Sequence, residues 1–220
     1  MDVLITDVTE MHNANYCVGG WDAARNRMIR PLPNGGNWTA ALLAQHGIAP
    51  GVTIRVMPDG VPTGAFPHRT EDTPIDASVT AVMGGAFSKW LGAEAPPVSS
   101  SLGAGFDGHL RWNSEWSQTR QGVYVPAGTE CRSLIAIRVG HTRISFLEDF
   151  DKLKAVVHDE TGRYKLTVSS RLLKEAWRQG GLLAVRGALP NRNDYCVRVG
   201  LARPFANQPD KCYLMVNGVL

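Results

Sequence analysis

Alternating β-branched and polar residues from Val3 to Thr9 predict a first strand. One design then occurs twice. Tyr16 to Asp22 reads as a strand, turns through Ala23 to Asn26, and returns as Arg27-Met28-Ile29-Arg30. Leu153 to Asp159 does the same, turning through Glu160-Thr161-Gly162 into Arg163-Tyr164-Lys165-Leu166. Each hairpin precedes a short amphipathic helix. Thr39 suits the cap of a helix over Ala40 to His46 that Gly47 stops. Arg171 to Gln179 places Leu172, Leu173, Ala176 and Trp177 on one face, and Gly180-Gly181 closes it. Further strands are expected at Gly51 to Met57, Ala77 to Met83, Leu134 to Val139, Arg143 to Phe146, Tyr195 to Ala202 and Cys212 to Val219.

Hairpin, helix, more strands is the order of a small β-barrel, and two copies make a double barrel. Helical crossovers long enough for a parallel sheet are missing from the pattern, which argues against an α/β fold. Residues 92 to 108 are rich in Gly, Ala, Pro and Ser, as in a linker or long loop. Ala86 to Leu91 suggests one or two helical turns between glycines, and Pro62 to Pro74 reads as irregular. The expected division is a first barrel over 1–92, a linker or insert over 93–122, and a second barrel over 123–220. The fold class expected is mainly β, with two tandem antiparallel barrels and short helices.

Composition narrows the function. No run of 18 apolar residues exists, so no helical membrane span is expected. Met1 to Asp7 lacks the basic and apolar regions of a signal peptide, and cytoplasmic placement is the expectation. Cys17, Cys131, Cys196 and Cys212 are scattered without a C-x-x-C pair, which fits buried reduced thiols and offers no metal-ligand spacing. Neither a metal nor a cofactor is expected. The net charge of +3 is mild, yet 17 of the 23 basic residues are arginine. Guanidinium groups bind phosphate bidentately and stack on bases; a GC-rich genome yields the same bias.

Several stretches together carry a family resemblance. They are Leu4 to Met11, Tyr16 to Asp22, Arg27 to Leu32, Pro67-His68-Arg69-Thr70-Glu71-Asp72, Val199 to Phe205, and the ending Cys212 to Val219. With these the chain resembles the bacterial dual OB-containing domain family over nearly its whole length. The resemblance implies two oligonucleotide/oligosaccharide-binding (OB) barrels in tandem and nucleic-acid binding, in a bacterial defence or DNA-processing setting. It brings no catalytic residues, and Ala93 to Gln121 has no counterpart in it.

An OB barrel binds strands on one curved sheet face, with aromatic rings stacking on bases and basic groups following phosphates. Three clusters suit that task. Trp21 lies among Arg25, Arg27 and Arg30, although alternation sets Arg27 and Arg30 on different faces unless the strand twists. Arg163, Tyr164 and Lys165, near Lys152 and Lys154, place Arg163 and Lys165 on one face. Arg111, Trp112 and Trp116, ending in Arg120, form either a stacking platform or a loop that plugs a groove. Arg69 joins the binding set. Each cluster also reads as an ordinary solvated surface. Pro67 to Asp72 gathers His68, Glu71 and Asp72, conceivable acid–base chemistry but more simply a loop satisfying its own turn amides. Gly103 to Gly108 spells G-x-G-x-x-G without the strand before or helix after that dinucleotide binding requires.

The leading expectation is a non-catalytic module in which both barrels form a continuous basic groove for single-stranded or irregular nucleic acid. A protein-interaction adaptor in a larger nucleoprotein complex, with Trp112 to Trp116 as docking loop, is the second reading. An enzyme using the His68–Asp72 loop is the third.

Overall fold

The computed structural model describes residues 1–34, 36–62, 64–82 and 98–220. The chain divides into two units: Met1–Gly64 with Arg69–Pro97, and Ala65–His68 with Val98–Leu220. The helical turn expected at Ala86 to Leu91 and residues 92–97 of the expected linker lie outside the described residues.

In the first unit, β1 (Asp2–Glu10), β2 (Asn15–Asp22) and β3 (Arg27–Pro33) form a meander. A two-residue strand β4 (Trp38–Thr39) leads into α1 (Ala40–Gln45), and β5 (Thr53–Pro58) and β6 (Asp72–Val82) follow. Hydrogen bonding runs β1-β5-β6-β3-β2, and β2 pairs back onto β1 to close the five-stranded ring. Pairings in the ring are antiparallel except β3 with β6. Closure removes exposed sheet edges. The helix between the third and fourth barrel strands, and the parallel third-to-fifth pairing, give OB topology.

Alternation explains the core. In β5, Ile54 and Val56 are buried while Arg55 points out to bind Asp2 through Nε at 2.7 Å. Val3, Ile5, Val18, Ile29, Trp38, Leu43 and Ile75 complete the interior. Thr39 Oγ1 accepts the Leu42 N–H at 3.2 Å, the expected cap, and Gly47 at φ 60 ends the turn. The row Leu4–Trp21–Met28 is buried as well, on the face opposite the barrel interior.

The second unit repeats the circuit with its first strand split and an added strand inserted along part of the third-to-fifth pairing. Its first strand is split into β10 (Leu134–Gly140) and β11 (Ile144–Glu148) by a 3-10 turn at His141–Arg143. β11 pairs with β12 (Leu153–Asp159), β12 with β13 (Gly162–Val168), β13 in parallel with β15 (Lys211–Val219), β15 with β14 (Asp194–Leu201), and β14 with β10. Leu153, Ala155, Val157, Tyr164, Leu166, Cys212, Leu214 and Val216 face inward. The mainly β, tandem OB-like architecture expected from the pattern is therefore what the chain adopts.

One feature differs from expectation. Residues 98–122 are folded: β7 (Val98–Ser99), α2 (Leu102–Gly105), β8 (Arg111–Trp116) and the start of β9 (Thr119–Pro126). Their Gly/Ser composition serves close packing. Gly105 has no room for a Cβ against Ile135, and Asp159 Oδ2 accepts the Leu102 N–H at 2.7 Å. The G-x-G-x-x-G run falls in this capped turn. The helix expected over Arg171 to Gln179 does end at Gly180 and Gly181, which leave helical geometry, and a second helical segment runs on to Gly187, the two together forming α3 (Arg171–Gly187). The segment after the glycines buries Val185.

Candidate nucleic-acid interface

Residues directly opposite one another on neighbouring strands share a face. On β12 and β13 the inward set leaves Lys154, Val156, His158, Arg163, Lys165 and Thr167 facing away from the core. Registers extend these into rows. One row reads His158, Arg163, Thr119, Trp116. The next reads Ser145, Val156, Lys165, Gln121, Ser114. A third reads Leu147, Lys154, Thr167, Met215. Along β15, Lys211 and Tyr213 alternate with the inward Cys212 and Leu214, so they lie on the same outer face as Met215.

β9 reaches this face twice because of Gly122. Before it, Arg120 is the inward partner of Tyr164. At φ 59 Gly122 resets the alternation, so Val123 and Val125 enter the core and Tyr124 turns outward. A side chain at 122 would collide with Asn113, whose Nδ2 would lie 2.5 Å from the Cβ. Asn113 instead links neighbours: Nδ2 donates to Tyr213 Oη at 3.1 Å, and Oδ1 accepts from Lys211 Nζ at 2.9 Å. Tyr124 and Tyr213 meet edge-to-face at 5.9 Å, Phe205 tilts against Tyr213 at 6.2 Å, and Lys211 Nζ sits 4.9 Å from the Tyr124 ring centre. Arg111 lies opposite Tyr124 and is exposed.

At the other side of the face, Lys165 Nζ pairs with Asp149 at 3.2 Å and Lys154 Nζ donates to Thr167 Oγ1 at 2.8 Å. Burial, then the positive charge of Lys152, push the Lys154 pKa down; Lys165 adds to this and Asp149 opposes it. The β11–β12 turn holds Phe150 at its tip, 91% exposed. Phe150 and Asp151 have φ values of 49 and 54, a mirror-image hairpin turn usually made by Asn or Gly.

The sequence-selected residues fare differently. Arg163, Lys165 and Trp116 come together on the outer face, and Trp116 is 74% exposed. Trp112 does not form a platform with Trp116. The Arg120 guanidinium lies 4.1 Å over its ring, with Arg120 Nη1 donating to Tyr164 Oη at 2.7 Å and to the Thr161 carbonyl at 3.1 Å. Tyr164 is buried and supports Arg120 from inside the barrel, so its ring does not meet solvent. In the first unit Trp21 is buried against Leu4 and Met28 in register, not offered for stacking. Arg30 is buried and paired with Asp72 at 2.8 Å. Burial disfavours its charge, but Cys17, Asp72 and Glu71 outweigh that and raise its pKa. Arg25 Nη1 pairs with Asp22 at 2.9 Å, while Arg27 and Arg69 are exposed. The expected first-unit cluster is thus split by β alternation, as Arg27 and Arg30 take different environments.

The His68–Asp72 loop is used structurally. Phe66–Pro67 is a cis peptide, buried His68 Nε2 meets the Leu201 carbonyl at 2.9 Å, and Asp72 holds Arg30. Among the described residues no group of three or more His, Cys, Asp or Glu is arranged to hold a metal ion. No helix among them is long and apolar enough to cross a membrane.

Sequence reasoning missed Tyr124, Tyr213, Phe205, Lys211, Asn113 and Phe150. The alternation Lys211-Cys212-Tyr213-Leu214 carried a signal for two of them. Tyr124 was hidden by the reset at Gly122.

No protein-family model matches the chain, and no curated protein does. Among solved structures, the chain is similar to the tetrameric p202 HIN2 at 12% identity, covering 100% of this chain and 89% of that one with a TM-score of 0.34. So low a score adds nothing to the topology described above.

Proposed function

We propose that the second unit is a non-catalytic module that binds single-stranded nucleic acid along the outer face of β12, β13, β9, β8 and β15. The observation that carries this reading is the shared face itself. It sets Lys154, Arg163 and Lys165 in adjacent rows beside Trp116 and the Tyr124–Tyr213–Phe205 group. Cations would track phosphates while rings stack on bases, with little sequence preference. This is also the second-and-third-strand face through which OB barrels take oligonucleotides. Exposed Arg25, Arg27 and Arg69 of the expected set contribute, on this reading, only long-range charge. A place in a bacterial defence or DNA-processing system rests on the family resemblance alone.

Fluorescence anisotropy of a labelled oligonucleotide, titrated at several salt concentrations, tests the proposal. Neutralising three or four phosphates gives a log–log salt slope of roughly −2 to −3 for a single strand. Arg163→Ala with Lys165→Ala should flatten that slope by about 1.4. Absence of binding at low salt would remove the proposal. Leu172 and Leu183 on α3, 57% and 80% exposed, favour a second reading as a protein-docking adaptor. Co-purification of a partner lost on changing both leucines to Ser would support it.

A further inference from the structure

Three lysines gather at the β11–β12 turn. Lys154 is half-buried, and Lys152 and Lys165 both act on its charge. Lys154 and Lys165 stand in adjacent outer rows of the sheet. Like charges brought this close repel, and partial burial strips away the water that would screen them. Such a cluster persists when an anion sits within it. In the free protein that anion is the Asp149 carboxylate, 3.2 Å from Lys165 Nζ and favourable to the charge on Lys154. Asp149 does not need this contact to form its turn. Backbone bonds between Asp149 and Lys152, at 3.0 and 3.2 Å, close it independently.

We propose that Lys152, Lys154 and Lys165 form a phosphate subsite that Asp149 fills in the unbound protein, and that a nucleic-acid phosphodiester binds there by displacing this carboxylate. The proposal rests on the nucleic-acid reading above and deepens it. A carboxylate and a phosphodiester each bring one negative charge and acceptor oxygens, so the exchange leaves the ammonium groups compensated. An ammonium carries three donors. Lys154 spends one on Thr167 Oγ1, and its other two can serve the phosphate. The built-in competitor lowers affinity for any single phosphate and so favours strands long enough to engage the neighbouring rings and Arg163 together. Phe150, projecting from the same turn, sets a ring at the edge of the subsite.

Anisotropy with a labelled single-stranded oligonucleotide, comparing wild type, Asp149→Asn and Asp151→Asn, tests this. Both variants remove one negative charge from the same turn, but only Asp149 pairs with Lys165. Asp149→Asn should tighten binding about two- to five-fold, the range that a partly exposed ion pair allows. It should also steepen the log–log salt slope, because the displaced wild-type carboxylate takes up a cation that offsets part of the counterion release. Asp151→Asn should tighten binding less and leave the slope unchanged. Equal tightening by the two variants would reduce the effect to net charge and overturn the subsite. So would an Asp149→Asn protein that binds no better than wild type. Failure of wild type to bind removes the parent reading as well, so the two failures are distinguishable.

Discussion

Asp159→Asn and Asp159→Ala probe the carboxylate that fixes the hairpin carrying Arg163 and Lys165. Asp159 is 4% exposed. Its Oδ1 accepts from Thr161 N and Oγ1, both at 2.7 Å, and from Gly162 N at 3.1 Å. Its Oδ2 accepts from Leu102 N at 2.7 Å. One side chain therefore shapes the β12–β13 turn and anchors the start of α2. A hydrogen bond to a charged group contributes about 1.5–3 kcal/mol, and losses within one cluster do not add fully. Alanine strips all four and leaves three backbone N–H groups wanting, a cost of about 4 kcal/mol. Asparagine keeps the Oδ1 acceptor but turns an NH2 toward the Leu102 N–H, so about 2 kcal/mol is lost. Urea unfolding followed by circular dichroism measures both, with unchanged slopes showing that stability alone has moved. Equal costs for the two variants, or a cost under about 1 kcal/mol for alanine, would refute the assignment of separate roles to the two oxygens.

Three other outcomes follow from the packing. Burial pushes the Cys212 thiol up to about 11 against the pull of Arg203, and Cys131 and Cys196 are buried too. A disulfide exchange reagent near pH 8 should therefore titrate one thiol in the folded chain, half-buried Cys17, and all four after denaturation. Lys154 has a folded-state pKa below its ordinary 10.5, so the unfolded chain holds that proton more tightly. The resulting penalty is fully present below the folded value and fades as pH rises through the window up to 10.5. Lys154→Met should flatten this rise in urea melts as pH approaches 10.5 from below, and an unchanged rise would contradict it. Gly20→Ala drives a methyl into Val3 and to 3.0 Å from the Leu4 carbonyl at the β1–β2 seam. It should cost about 2 kcal/mol, whereas Gly140→Ala, where a Cβ meets nothing within 4 Å, should leave the melting temperature unmoved.

Strand alternation made much of the fold readable. Both hairpins, the Thr39-capped helix and the β10–β11 interruption sit near where polar and apolar positions change phase. Local pattern could not show which rows face which. Trp21 looked like a stacking ring because arginines surround it in sequence, yet the β1–β2–β3 register places it beside Leu4 and Met28. Trp112 and Trp116 looked equivalent at four residues apart, but Arg120 covers only the first. The Tyr124–Tyr213–Phe205 group joins residues from distant strands, so only pairing brings it together. Gly- and Ser-rich residues after Ser99 resembled a linker because tight packing and free loops favour the same small side chains.

The outer face can be located directly by titrating an isotope-labelled chain with a short single-stranded oligonucleotide and following amide and indole resonances. Shifts should concentrate at Trp116, Gln121, Tyr124, Lys154, Arg163, Lys165 and Tyr213, with Trp21 and Trp38 unmoved. Shifts centred on α3 or on the first unit, with the β12–β13 rows silent, would contradict this placement.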